Sequence, residues 1–134
     1  MKIKIIGFNV IAIGIAIIIM SASLQSKPWV IPDKYKSMKS TVKTSAASIA
    51  AGKVLWEKHC KSCHGTTGKG DGVKAKTLKT TMGDLGLAKY QSQADGVLYY
   101  QSFVGRDEMT NFEKKIPDVT DRWNIINFIR SLKK

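Results

Sequence analysis

The stretch Trp56-Glu57-Lys58-His59-Cys60-Lys61-Ser62-Cys63-His64-Gly65 decides how this 134-residue chain is to be read. Cys60 and Cys63 are its only cysteines, and a histidine follows the second one directly. A lone C-x-x-C is open to several chemistries: a thiol redox pair, half of a zinc site, or a local disulfide. The trailing His64 turns the balance toward covalent haem attachment. Two cysteines separated by two residues bring both sulfurs to one side of a helical turn. There they can reach the two vinyl groups of one porphyrin, and His64 is aimed at the iron from the same face. A zinc site would need further ligands. His59, the only other histidine, lies on the same helix end and cannot complete a well-spread tetrahedron. It reads as a surface residue.

Upstream of the motif, Ser45 or Ser48 can cap a helix carrying Ile49, Gly52, Leu55, Trp56 and His59 at near-helical spacing. Gly65 offers a stop, and Gly65 to Gly72 holds four glycines, so this stretch is loop. Downstream, Ser92 with Asp95 resembles a capping box opening a helix through Val97, Leu98, Tyr99 and on toward Phe103. Asp118 or Thr120 opens the last helix. Its apolar positions Ile125, Phe128, Ile129 and Leu132 follow the i, i+3, i+4, i+7 rule, and Trp123 and Ile126 widen the stripe. Lys133 and Lys134 suit the negative end of its dipole. No alternating strand pattern occurs, so the expected class is all-α, with three main helices around one haem. At this length there is room for one small core, and a covalent cofactor helps such a core to settle.

The far side of the iron needs a ligand from elsewhere. Met38, Met82 and Met109 are the candidate sulfurs, since Met1 and Met20 belong to the N-terminal segment. Met109 sits in GRDEMTNF, a polar loop with Gly105 between the second and last helices, long enough to cross a haem. Methionine is out of place in such a loop, since it usually fills cores. Met82, in TMGDLG, reads as a lining or packing residue. The expected axial pair is His64 and Met109, which fills both iron positions and favours electron transfer over catalysis.

The N-terminus carries Lys2 and Lys4 and then an apolar run from Ile5 to Met20, followed by Ser21, Ala22 and Ser23. That is the layout of a secretory signal, and residues 1–23 read equally well as a cleaved signal or as a retained membrane anchor. The run is shorter than a comfortable span, and Asn9 interrupts it. Either way the lysines stay on the cytoplasmic side and the domain leaves the cytoplasm. Residues 24–45 hold Pro28, Pro32 and scattered polar residues and read as a linker. Within it, Trp29, Val30 and Ile31 form an apolar knot that can dock on the domain or sit at a membrane interface.

The formal net charge is +12, unevenly placed. Lys27 to Lys79 has twelve lysines against Asp33, Glu57 and Asp71, whereas Thr80 to Asp121 has four bases against seven acids. The functional reading is a basic face that steers an acidic redox partner; the bland one is a solubilising surface. No nucleic-acid-binding motif accompanies the charge.

From about Ala46 to Leu132 the chain resembles a class I cytochrome c, a small bacterial c-type cytochrome with one haem. The resemblance rests on Gly52 and Trp56, on CKSCHG at Cys60–Gly65, on the Met109 loop and on RWNIINFIRSL at the end. It implies a haem domain over 46–134, with thioethers from Cys60 and Cys63 and axial His64 and Met109. It also implies that Gly52 and Trp56 meet Ile125 and Phe128 where the terminal helices cross. The GKGDG run after the motif is similar to that of many periplasmic members. Two positions depart from the pattern: Val73 and Thr110 stand where the family often has proline, after the DG and after the methionine, so each loop has less built-in rigidity. The expected function is a non-enzymatic electron carrier in the bacterial cell envelope, made by the haem-attachment machinery, soluble or tethered through residues 5–20. A haem sensor or small peroxidase is the alternative and requires Met109 off the iron. A thiol–disulfide oxidoreductase would leave His64 and the Met109 loop unexplained.

Overall fold

The computed structural model describes residues 27–134, so the apolar run Ile5–Met20, with its signal-or-anchor reading, lies outside the described residues. Six α-helical segments follow one another: α1 Asp33–Lys36, α2 Ala46–His59, α3 Lys61–His64, α4 Ala88–Gln91, α5 Asp95–Tyr99 and α6 Val119–Ser131. A 3-10 turn covers Ala75–Thr77, and a π-helical turn, Tyr100–Val104, continues α5. Among the described residues there is no strand, only an isolated bridge between Arg106 and Met109. The helical class read from the sequence holds.

Both serines ahead of α2 are used. The Ser45 side chain accepts from the Ser48 N–H at 3.1 Å, and the Ser48 hydroxyl accepts from the Ser45 N–H at 2.9 Å. This reciprocal pair satisfies two of the first N–H groups at the helix start. Asp118 caps α6 by accepting from Thr120 N–H at 2.7 Å. α2 and α6 cross at Gly52, where a Cβ would stand 1.9 Å from the carbonyl oxygen of Asn124. Only glycine lets the two backbones come so near. Beside that point the rings of Trp56 and Phe128 lie 5.5 Å apart.

The capping reading at Ser92 is corrected. Ser92 closes α4, its N–H bonded to the Ala88 carbonyl, and α5 begins after Ala94 without a side-chain cap. Asp95 is engaged by Arg130 of α6 instead, at 2.6 Å. The Ser92 N–H that a capping box would offer to Asp95 is already spent on Ala88, and the charged, multi-donor guanidinium takes the carboxylate instead. Arg130 also donates to the Gln91 and Gln93 carbonyls, at 2.7 and 2.6 Å, and so fastens the α4–α5 corner to the last helix.

α6 is buried along its whole middle, from Arg122 to Ile129, rather than on one stripe. α2 covers one side, while α5 and the segment before α2 contribute further cover. Asn127 is the polar residue that makes this possible: it accepts from Thr44 Oγ1 at 3.0 Å and donates to Ser48 Oγ at 3.1 Å. The core gathers Trp56, Leu98, Tyr99, Phe103, Ile116, Trp123, Ile125, Ile126, Phe128 and Ile129. Residues 27–44 lie along the domain. The Trp29 ring meets Tyr100 edge-on at 6.3 Å and Tyr35 stands 4.7 Å from Tyr100, so of the apolar knot Trp29 docks on the protein, while Val30 stays 86% exposed.

Candidate functional site

α2 ends at His59, and Cys60 is the hinge between it and the single turn of α3. Trp56 fixes the direction of that turn. Its indole N–H donates to the Gly65 carbonyl at 2.9 Å, and its ring lies 5.6 Å from the His64 imidazole. The glycine loop folds back onto the motif: Gly70 N–H donates to the His64 carbonyl at 2.9 Å and Lys74 N–H to the Ser62 carbonyl at 2.8 Å. The motif is thus held in place by groups near it in sequence, Trp56 ahead of it and the glycine loop behind it.

Between this motif and the rest of the fold lies a cavity of about 320 Å³. Trp56, Cys60 and His64 enter it from α2 and α3; Leu98 and Phe103 from α5 and the π-helical turn; Ile125 and Ile129 from α6. Met82, Met109 and Phe112 enter from the two loops. His64 and Met109, assigned as a pair from sequence, therefore face the same space. Met82 lines it too, as its loop position suggested. Met38 packs beside the core instead. Cys63 is half-buried on the short helix, its sulfur 3.8 Å from Ser62 Oγ. His59 is half-buried at the end of α2.

The electrostatics of the motif follow from burial. Burial, with Cys63 adding to it, pushes the Cys60 thiol up to about 12. A reactive redox thiol needs the reverse, a lowered value that yields thiolate near neutral pH. Burial also pushes the His64 imidazole below its ordinary value, so it is neutral at pH 7, the form that ligates a metal. Its Nδ1 is buried and has no hydrogen-bond partner. Among the described residues no three of His, Cys, Asp or Glu converge as an ion site. A largely apolar cavity with a neutral imidazole, Cys60 and methionine sulfur in its lining fits a haem. Cys63 is not in that lining but lies unbridged on the same short turn, one residue before His64, so Cys60, Cys63 and His64 are the residues that would hold the group.

The Met109 turn is tight. Met109 N–H returns to the Arg106 carbonyl at 2.9 Å. Gly105, at φ +71°, leaves room for the Met109 carbonyl, which a Cβ would meet at 2.0 Å. Two neighbours of Met109 that the sequence did not mark also line the cavity. Arg106 donates to the Lys27 and Pro28 carbonyls and stacks on Trp29, 4.1 Å from its ring centre. Glu108 accepts from the Lys79 and Thr80 N–H groups, at 3.0 and 2.7 Å, which hold its carboxyl below the usual carboxylate range. Tyr90 and Gln101 were missed as lining residues as well; nothing in their sequence surroundings separates them from ordinary helix residues.

The Cytochrome c family model matches residues 49–133, well over half of the chain. The chain belongs to the cytochrome c family. This cytochrome accordingly has covalently bound haem c, and it is in general terms a haem-containing electron carrier. The matched stretch contains the motif, the cavity-lining loops and α6, and it leaves Lys27–Ser48 outside. No curated protein matches this cytochrome as a relative.

Proposed function

We propose that this cytochrome is an electron carrier of a bacterial cell-envelope electron-transport chain, with Cys60 and Cys63 as the thioether cysteines and His64 and Met109 as the axial pair. The single observation that carries the reading is the meeting of His64 and Met109 in one apolar cavity, although 44 positions separate them in the chain. Bound haem supplies the Fe(III)/Fe(II) couple. The residues do the rest. His64, oriented by the Trp56 ring, presents a neutral imidazole, and Met109 supplies a soft, uncharged sulfur that favours the reduced state. Leu98, Phe103, Ile125 and Ile129 keep water off the group, which lowers the reorganisation that accompanies each electron. Filling both axial positions leaves no place for a substrate, so the protein is a carrier rather than an enzyme.

The partner is a redox protein with an acidic docking surface. Among the described residues, none of the lysines from Lys39 to Lys79 forms an ion pair, and Lys58, Lys61, Lys74 and Lys76 are exposed on the segments flanking the motif. Unpaired surface cations of this kind raise the encounter rate with an acidic surface and lose their effect as salt screens them. Residues 1–23 serve export, and residues 5–20 serve as a tether where they are retained. No helix among the described residues is long and apolar enough to cross a membrane.

The test is the visible spectrum of protein made with the haem-attachment machinery. A sharp reduced α-band, haem that resists acid–acetone extraction, and a weak far-red methionine–iron band that Met109→Ala removes are the expected results. A far-red band that survives in Met109→Ala and vanishes in Met82→Ala would move the axial role to Met82. Haem extractable from the parent protein would sink the thioether assignment.

A further inference from the structure

We propose that Arg106 and Glu108 are positioning residues that pin the Met109 turn from two sides and thereby set how readily a small ligand displaces Met109. The proposal rests on Met109 being the sixth ligand, as argued above. From within, the turn Arg106–Met109 is held by one backbone bond, Met109 N–H to the Arg106 carbonyl, and by a long Arg106–Asp107 ion pair at 3.7 Å on the exposed side, where Asp107 stands at φ 49°. It is followed by the exposed Thr110 and Asn111, and Thr110 supplies none of the stiffness of a proline. Rigidity comes from outside the turn.

On one side, the Arg106 guanidinium forks onto two successive carbonyls, Lys27 and Pro28, and lies over the Trp29 ring. Trp29 in turn rests edge-on against Tyr100. A planar fork with two acceptors and a stacked ring fixes orientation in a way one hydrogen bond cannot. On the other side, both carboxylate oxygens of Glu108 are taken by the N–H groups of Lys79 and Thr80. The segments that anchor the two pins, Lys27–Trp29 and Lys79–Thr80, are far apart in the chain, and the first lies outside the stretch that the family model matches. This strap is placed against the loop that bears the ligand.

Methionine leaves the iron only when the turn swings away. The apparent affinity of an incoming ligand is its intrinsic affinity multiplied by the fraction of molecules in that open state. Each pin lowers that fraction. Because both pins act on one short turn, their effects add without being independent, and removing both opens the turn more than removing either.

The experiment titrates the ferric holoprotein with imidazole at neutral pH and follows loss of the far-red band. Arg106→Ala and Glu108→Ala should each raise imidazole affinity about tenfold, and the double variant more than either single one. Ser45→Ala, which removes the α2 cap without touching the turn, controls for lost stability and should leave imidazole affinity where it was. Should Arg106→Ala yield no holoprotein, Trp29→Ala and Arg106→Lys, which keeps the charge but loses the fork, are expected to show the same rise. Unchanged affinity in the pin variants, or an equal rise in Ser45→Ala, overturns the proposal while the Met109 assignment stands. A parent protein with no far-red band, whose imidazole affinity Met109→Ala leaves unaltered, overturns the Met109 assignment itself and the proposal with it.

Discussion

Gly52→Ala sets two physical effects of opposite sign against each other. Gly52 lies within α2, where alanine is the better helix former by about 1 kcal/mol. Local propensity alone therefore makes the variant more stable. The crossing with α6 says the reverse. The new Cβ would stand 1.9 Å from the Asn124 carbonyl oxygen and 2.5 Å from its carbon, against the 3.4–4 Å of ordinary contact. The obstacle is backbone on both sides, so no rotamer change relieves it. The helices must part by about 1.5 Å at the crossing, which is the gap between those distances. A gap of 0.5–1 Å already forfeits roughly a quarter to a half of each dispersion contact. The layer affected includes the Trp56–Phe128 pair and Ile125. Overpacking of this sort costs about 3 kcal/mol or somewhat more. The net expectation is a loss of about 2 kcal/mol, or roughly 10 °C in midpoint for a domain of this size. Thermal or denaturant unfolding of the holoprotein, followed by far-UV circular dichroism, measures it. Ala50→Gly, on the exposed side of the same helix, is the control and should cost about 1 kcal/mol. A Gly52→Ala protein as stable as the parent would refute the close crossing, and with it the placement of α6 against the motif helix.

Other expectations follow from single contacts. Trp56→Phe keeps most of the ring packing but takes the indole donor from the buried Gly65 carbonyl, leaving only the 3.4 Å bond from Gly68 N–H, so denaturant unfolding should show a loss of about 1 kcal/mol. Arg130→Ala leaves Asp95 and the Gln91 and Gln93 carbonyls without their donor; about 2 kcal/mol should be lost, and hydrogen exchange should quicken first in α4 and α5. The Lys134 ammonium, together with the Gly86 N–H, holds the Asp84 carboxyl below its ordinary value of 3.8. Its stabilising contribution is present above the unfolded value and fades as pH falls through the lower folded one. Parent and Asp84→Asn unfolding midpoints should therefore differ near neutral pH and converge below about 3.8, with high salt shrinking the gap. Finally, the reduction rate by an acidic redox protein should fall steeply as ionic strength rises, and a flat response would remove the steering role of the lysine-rich half.

Several features of this protein were carried by the sequence alone, because their causes are local. The haem reading needs only the spacing of Cys60, Cys63 and His64. The start of α2 needs Ser45 and Ser48, that of α6 needs Asp118, and the all-α class follows from the period of the apolar residues. The crossing of Gly52 and Trp56 with Ile125 and Phe128 came from family resemblance, and the geometry agrees with it. What tertiary structure decided involves partners distant in the chain. Ser92 had the spacing of a cap, but Arg130, 35 positions beyond Asp95, took the carboxylate that spacing had assigned to it. Trp29 had two homes open to it, and the guanidinium of Arg106 and the ring of Tyr100 selected the domain surface, while Val30 beside it stays exposed. Glu108 was one acid in a polar loop until Lys79 and Thr80 presented their N–H groups to it. Met82 and Met109 share one cavity for the same reason, since only chain folding brings two loops to one space. Covalent spacing and helix periodicity act over a few residues and survive in a linear text. Hydrogen bonds and ring contacts between remote segments are chosen by competition among all the groups that the fold brings within reach.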